Sequence, residues 1–368
     1  MPIDAAFVAA KIGFVFFIVL NLAGMLGWVE RKQSALMQDR IGANRAPILG
    51  MTLIGLFHPL ADAIKAFTKE DFIPARANKV MHTLAPLLAV VPAFTAFAVI
   101  PFGDTITLAG KTVDLVISDL DVGVLFVFAI MSLAAYGVVL AGWSSYNNFS
   151  LLGGLRASAQ MLSYEIVMGL TLVGVFMTYE SLQLTEIARA QGAFFTFGGV
   201  NTWIPKWGIL TQPVAFFLFM AAAIAESKRA PFDVAEAESE LVAGYFTEYS
   251  GMKFLMFWMG EFVEIVLISG LVATLFFGGW QIPWLARDGF HVPFTQIVIA
   301  LPAMLITLAG VASFWTKVLV LIWLQMTIRW TLPRFRYDQI MRMGWKMLLP
   351  LSLANIFVTG VVILLMQG

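Results

Sequence analysis

The sequence predicts an all-α polytopic membrane protein of about eight transmembrane helices, with a surface amphipathic helix after the first. Three observations carry that expectation. Sixty per cent of the 368 residues are apolar and the mean hydropathy is +0.85, above the roughly 45–50% apolar content of soluble domains. Eight stretches, near 7–29, 80–101, 122–142, 160–179, 208–226, 254–277, 297–328 and 347–367, approach or exceed the ~20 residues that cross a hydrocarbon core as a helix. Lys and Arg divide unequally between alternate loops. Loops 30–79, 143–159, 227–253 and 329–346 hold eight, one, three and five, whereas 102–121, 180–207 and 278–296 hold one, two and one. The split of 17 against 4 places the first set on the cytoplasmic (or matrix) side and both termini on the outer side. The short alternating strands of a β-barrel are not evident. The chain reads as one integral membrane domain, 1–368, expected in a bacterial inner (plasma) membrane.

Taken in order, the first span carries Lys11 and no basic run precedes it, so no cleaved signal peptide is expected. The inside loop 30–79 opens on Glu30, Arg31 and Lys32 and continues through Arg40 and Arg45. In its middle, Leu53, Leu56, Phe57, Leu60, Ile64 and Phe67 recur at helical spacing opposite Asp62, Lys65 and Lys69. That pattern suits a helix lying at the membrane surface or packed on the other spans. The outer loops 102–121 and 180–207 read as connectors, with Trp203 and Trp207 near an interface. The fourth span begins near Glu165, the fifth ends at Glu226, and the sixth encloses Glu261 and Glu264. The seventh is long enough to tilt or kink. No internal repeat is evident, which weighs against folds built from inverted repeats.

Two segments stand out chemically. In an otherwise charge-poor chain, the inside loop 227–253 contains "FDVAEAESELVAGYF", with Glu226 just before it and Glu248 just after. Helical spacing puts Asp233, Glu236 and Glu240 on one face, with Glu238 elsewhere. In a confined site such carboxylates share protons; in solvent they form an ordinary acidic loop, and spacing alone fits both. Glu165, Glu226, Glu261 and Glu264 tip the reading toward a polar route entering from one side, because a carboxylate at mid-bilayer costs roughly 2.5–3.5 kcal/mol on insertion scales. The second segment, "RWTLPRFRYD" (329–338), mixes Arg334, Arg336 and Asp338 with Phe335 and Tyr337, as a docking surface or a cavity mouth would. There are no cysteines and only three histidines. Thiolate-ligated iron–sulfur clusters and a bis-histidine haem are thereby excluded from this chain. No nucleotide-binding glycine fingerprint occurs. No metal, flavin or haem is expected here, so partners must carry any electrons.

The stretches "ERK…MQDRIGANR", "PLADAIKAFTKED", "LGGLRASAQMLSYE", "AESKRAPFDVAEAESELVAGYFTEYSG" and "LPRFRYDQIMRMGWKMLLP" together resemble the quinone-channel membrane subunit of respiratory complex I, called subunit 1 in mitochondria and the H subunit in bacteria. The resemblance runs from the first span to the last. It implies eight transmembrane helices and a surface helix, and a long cavity that houses the tail of ubiquinone or menaquinone. By resemblance, Glu30, Arg31, Arg40, Asp62, Lys65, Arg229, Asp233 and Arg334 line or support that cavity. Glu165, Glu226, Glu236, Glu238, Glu240, Glu248 and Glu261 correspond to an acidic channel toward the proton-pumping subunits. The implied partners are peripheral-arm iron–sulfur and quinone-site subunits, small membrane subunits, antiporter-like subunits and membrane lipids. No nucleic acid is expected. Two departures fall on the first inside loop: Gly42-Ala43-Asn44 where the family commonly has Gly-Pro-Asn, and Phe57-His58-Pro59 where it commonly has Leu-Gln-Pro. They bear on quinone preference and loop conformation, and His58 reads either as structural or as a proton donor.

The same residues leave other readings open. One is the equivalent subunit of a related complex: a deazaflavin-linked dehydrogenase, a photosynthetic ferredoxin-dependent complex or a membrane-bound hydrogenase. Another is a stand-alone proton-coupled transporter, and a third is a purely structural anchor.

Overall fold

Caps and breakers in the sequence set the helix boundaries. The computed structural model describes residues 2–108, 111–197, 200–235, 241–291 and 297–367. Helix α1, Pro2–Met37, is 36 residues long, about 54 Å at 1.5 Å per residue, so it outruns a hydrocarbon core of about 30 Å. The short α2, His58–Thr68, follows a tight turn at Leu53–Gly55. It begins where Pro59 suits the first turn, and it leaves Leu60, Ile64 and Phe67 exposed along one side. The expected surface helix is therefore present and shorter than its apolar pattern. Asn78 caps α3, Lys79–Ala96, by accepting from the Met81 N–H.

Then follow α4, Gly123–Ser144, and α5, Asn148–Tyr179. The sequence pattern ends the inside loop at 159; instead α5 starts at Asn148, where Asn147 Oδ1 accepts from the Phe149 N–H at 3.0 Å. That asparagine cap makes most of the expected loop helical. After α6, Leu184–Ala190, the expected fifth span divides into α7, Gly208–Thr211, and α8, Pro213–Glu226. Pro213 breaks the ladder. The exposed polar groups are stitched by Gln212, which donates to Thr359 Oγ1 (2.9 Å) and Thr178 Oγ1 (3.2 Å) and accepts from Asn355 Nδ2 (3.1 Å). The later helices are α9, Gly251–Phe276, α10, Ala303–Thr331, α11, Tyr337–Met343, and α12, Leu349–Gln367; a π-helical turn at Gly344–Leu348 joins the last two. The seventh span starts six residues later than expected, because residues 298–299 form a strand and Pro302 caps the helix.

Among the described residues, seven helices are individually long and apolar enough to cross a membrane. The eighth crossing is the broken pair α7–α8, and the loops require it. At one end, the outer one in the expected topology, Asp104 pairs with both Arg189 (3.1 Å) and Arg287 (2.8 Å), joining the three loops 102–121, 180–207 and 278–296. At the inner end, Glu30 pairs with Arg229 (3.0 Å) and Arg329 (2.8 Å), and Asp233 with Arg334 (2.6 Å). The chain must therefore pass between the ends across 208–226. The outer loops are more than connectors. They fold as hairpins β1–β2 (Thr105–Leu108, Lys111–Asp114) and β3–β4 (Phe194–Phe197, Val200–Pro205, with a bulge). A small sheet, β5–β6–β7 (Leu285–Ala286, Gly289–His291, Val298–Ile299), completes that end.

Helix α9 is the axis of the bundle and is enclosed along nearly its whole length, packing against α1, α3, α8 and α10. Small residues let neighbours approach closely, as packing in lipid favours. A Cβ on Gly137 of α4 would stand 2.8 Å from the Ala89 backbone nitrogen of α3, and one on Gly153 of α5 would stand 2.7 Å from the Gly244 Cα. The second contact seats the end of the acidic loop directly on α5.

Candidate functional site

The inner end buries a network of charges drawn from elements far apart in sequence. Its centre is Arg229, which follows the left-handed step at Lys228 (φ 56°) just past the end of α8. Arg229 Nη1 donates to Glu30 Oε2 of α1 at 3.0 Å, its Nε lies 3.7 Å from Glu261 Oε2 of α9, and its guanidinium stacks over the Phe262 ring at 4.2 Å. Arg329, near the end of α10, holds the other oxygen of Glu30 at 2.8 Å. Lys228 reaches the opposite way, to Glu264 Oε2 at 3.5 Å. Glu261 and Glu264 stand three residues apart and so share a helix face. Tyr245 completes the group by donating to Glu261 Oε1 at 3.2 Å. Glu226 is 3% exposed and lies within electrostatic reach of Glu264, Lys228 and Glu165.

The charges nearly balance. Among the described residues, Glu30, Asp233, Glu226, Glu261 and Glu264 face Lys228, Arg229, Arg329 and Arg334, five carboxyls against four cations. Buried carboxylates in excess of their partners are where a proton is held and exchanged. Burial opposes the charge on Lys228, but Glu264, Glu261 and Glu226 outweigh it and hold the ammonium above the usual lysine range. Lys228 is thus held as a fixed positive charge among these carboxyls.

Two cavities meet here. One of about 230 Å³ is lined by Lys228, Arg229, Asp233, Phe246, Phe254, Trp258, Glu261 and Arg329. The other, about 260 Å³, lies between α1, α2 and α9 and is lined by Arg31, Asp62, Lys65, Lys69, Phe254 and Trp258. Phe254 and Trp258 belong to both, so two aromatic rings stand between a half-exposed antechamber and the charged pocket. Arg31 and Asp62 pair at 2.7 Å at the antechamber's edge. A larger cavity, about 550 Å³, opens at the outer end beside Asp104, Arg189 and Arg287, away from the buried carboxyls.

The sequence profile of the NADH dehydrogenase family matches residues 10–360 of this chain. The chain is 45% identical over 365 residues to the first of the NADH-quinone oxidoreductase H subunits of Geobacter metallireducens, covering 99% of each protein. It is 46% identical to the second H subunit of Geobacter sulfurreducens, covering 99% of this chain and 98% of that one. The H subunit of Thermomicrobium roseum is 45% identical, with 96% of each chain covered. This chain belongs to the family of NADH-quinone oxidoreductase H subunits. It is an integral membrane protein of that family, on an all-helical scaffold.

Of the residues that the family resemblance singles out, the structure gathers Glu30, Arg229, Asp233, Arg334, Glu226 and Glu261 at the charged pocket, and Arg31, Asp62 and Lys65 at the antechamber. Arg40 stands apart, exposed on the turn after α1 with its Nε donating to Gln38 Oε1 at 2.7 Å. Glu165 is half-buried between α4 and α5, where its Oε1 accepts from Ser132 Oγ. Glu248 sits at another corner, accepting from Asn147 Nδ2 at 2.7 Å, next to Tyr249, whose ring stacks on His82 at 4.0 Å. Burial pushes the Tyr249 phenol up to about 12. Glu236, Glu238 and Glu240 lie outside the described residues. His58 lies half-buried, with its Nδ1 2.9 Å from the Gly55 carbonyl at the start of α2, a local structural contact. The Ala43 departure falls where the loop folds on itself: Gly55, at φ 82°, packs so closely on the Ala43 carbonyl that no side chain fits.

Sequence reasoning misses Arg329, Lys228 and Tyr245 as site residues. In the sequence Arg329 is one of the basic residues of an inside loop, Lys228 is one cation beside a carboxylate-rich segment, and Tyr245 is one more aromatic residue. Only the fold brings α10 to α1. Glu264 is conspicuous within its span, and its pairing with Lys228 places it in the network.

Proposed function

We propose that this chain forms the membrane-side part of the quinone cavity in a proton-pumping NADH:quinone oxidoreductase, together with the first stretch of the proton route leading away from it. The observation that carries this reading is Arg229 held between Glu30 and Glu261 beside the charged pocket. A quinone that accepts two electrons must also take two protons, and charge arriving near this pocket is felt by every carboxyl coupled to Arg229. The electrons come from partners, because this chain has no cysteine to ligate an iron–sulfur cluster.

In this reading the isoprenoid tail of ubiquinone or menaquinone enters between α1, α2 and α9. The exposed apolar side of α2 faces lipid, and Arg31, Asp62 and Lys65 mark the threshold. Phe254 and Trp258 then separate tail from charge. Glu261, Glu264, Glu226 and Glu165 form the proton route, extended by Glu236, Glu238 and Glu240 of the acidic loop and by Glu248. Peripheral iron–sulfur and quinone-site subunits cover the inner end. Small membrane subunits and antiporter-like subunits adjoin the bundle, and lipid surrounds the rest. The membrane is a bacterial inner membrane with both termini on its outer side. The 17-to-4 charge asymmetry supports that orientation, and the clustering of the two loop sets at opposite ends supports placing both termini on the same side.

The test is Glu261→Gln in the assembled complex, with NADH-driven quinone reduction and proton movement measured together. The expected result is normal assembly with activity reduced by about 10²-fold, the scale for loss of a positioned proton-transfer group. A variant that assembles and pumps at the unaltered rate removes the proton-route reading. Co-purification of the tagged chain identifies the partners: iron–sulfur and antiporter-like chains without NADH activity would indicate a related complex with another electron donor.

A further inference from the structure

A buried amide joins the two segments that such a mechanism has to couple. Gln160 lies on α5, fully enclosed, and its Nε2 donates to two backbone carbonyls, Ala225 at 2.6 Å and Phe232 at 2.8 Å. These residues stand immediately before Glu226 and Asp233. Two carbonyl acceptors can be met only by the nitrogen of the amide, so the partners themselves fix its orientation. On one side the Ala225 carbonyl also receives the Lys228 N–H at 3.3 Å, across the turn that aims Lys228 at Glu264. On the other, the Phe232 segment is strapped to the stretch before α11. Asp233 pairs with Arg334 at 2.6 Å, the Phe335 N–H donates to the Pro231 carbonyl at 3.0 Å, and the Phe232 and Phe335 rings lie 5.5 Å apart. One turn along α5, Tyr164 packs against Phe232 at 5.9 Å and donates to the Ile340 carbonyl at 2.8 Å. The next residue is Glu165.

We propose that Gln160 is a positioning residue that transmits occupancy of the pocket at Arg229 and Asp233 to Glu226, by holding the carbonyls of Ala225 and Phe232 in fixed relation through one amide. The inference rests on the reading above, in which the pocket responds to quinone and Glu226 carries protons. Asp233 lines the pocket, so a charge or headgroup arriving there displaces the Phe232–Asp233 segment. A single amide nitrogen cannot follow two carbonyls that move apart, because such bonds weaken steeply once the geometry bends. The end of α8 therefore moves with the strap, and Glu226 changes its distance to Glu264 and Lys228. Without the amide, the pocket and the carboxyl respond separately.

The variant Gln160→Met keeps the length of the side chain and removes both donors. In the assembled complex the expected result is a fall in protons moved per NADH oxidised that exceeds, by about threefold or more, any fall in the rate of quinone reduction, with KM for quinone unchanged. A merely structural role would lower both together. Glu226→Gln, measured alongside, separates two failures. If Glu226→Gln pumps normally, the proton-route reading is lost and this inference with it. If Glu226→Gln stops pumping while Gln160→Met keeps the unaltered ratio, the inference alone is overturned. Where Gln160→Met does not assemble, amide hydrogen exchange in the unaltered complex decides. Addition of a quinone analogue is expected to change protection in residues 223–229 as well as in 230–235, and unchanged protection in 223–229 overturns the proposal.

Discussion

The two ends of this molecule use the same chemical pair, arginine with carboxylate, for different purposes. At the outer end, Asp104 receives Arg189 and Arg287, and the Arg287 side chain is 76% exposed. At the inner end, Glu30 receives Arg229 and Arg329, and the Arg229 side chain is 8% exposed. Water decides the difference. An exposed pair contributes about 0–1 kcal/mol and is screened by salt. A buried pair is weak evidence of net stability, yet removing one partner strands a charge at about 3–5 kcal/mol. The outer cluster ties loops together; the inner one holds charge where a change of protonation state has large consequences.

Substitutions test this contrast at graded cost. Arg229→Ala leaves Glu30 and Glu261 each short of a buried partner, and a loss of about 3–5 kcal/mol is expected. Thermal unfolding and yield in detergent would register it, and a variant as stable as the parent would make the two ends equivalent. Gln212→Leu removes the side chain that meets Thr178, Asn355 and Thr359 at the break between α7 and α8. A loss of about 1–3 kcal/mol is expected, the range for leaving buried polar groups unmet, with Asn355 exchange protection as the readout. Arg287→Ala should cost no more than about 1 kcal/mol, and raising salt should erase that difference while leaving the Arg229 effect in place.

The smallest effect is one of pH. Lys228 is held above its ordinary 10.5 and Tyr249 is raised to about 12. Both bind their protons more firmly in the folded chain, so their contribution is complete through the neutral range and is lost only as pH climbs past 10.5 or so. A stability profile that sloped near neutrality in the parent, and flattened in Lys228→Met, would contradict the assignment of Lys228 as a fixed charge.

Much of this arrangement is legible in the chain. Hydropathy marks eight crossings, and the basic residues sort the loops into two groups, one tied together by Asp104 and the other tied in three of its four members by Glu30. The carboxyls in α8 and α9 announce themselves by being in a span at all. What escapes notice has ordinary local chemistry. Arg329 looks like any basic residue at the end of a membrane helix, and its bond to Glu30 depends on α1 and α10 lying side by side. Gln160 is one amide among polar neighbours, and its importance lies in two backbone carbonyls that have no sequence signature. The start of α5 is easily misplaced because the glycines and Arg156 resemble a loop, whereas Asn147 is the stronger signal as a cap. "TQPV" at 211–214 does carry a warning of the broken span, since proline excludes the helical hydrogen bond at that point.

The long reach of Glu30 has a consequence for how the protein is made. Its partner Arg229 lies 199 residues further along the chain, and Arg329, near the end of α10, emerges only as that helix is completed. Glu30 therefore waits at the membrane surface through most of translation, and Glu261 enters its span before the last member of the cluster exists. The inner end cannot close until α10 is in place, so a chain that stops before Arg329 leaves one oxygen of Glu30 without its cation. Closure of the charge network thus marks a finished subunit.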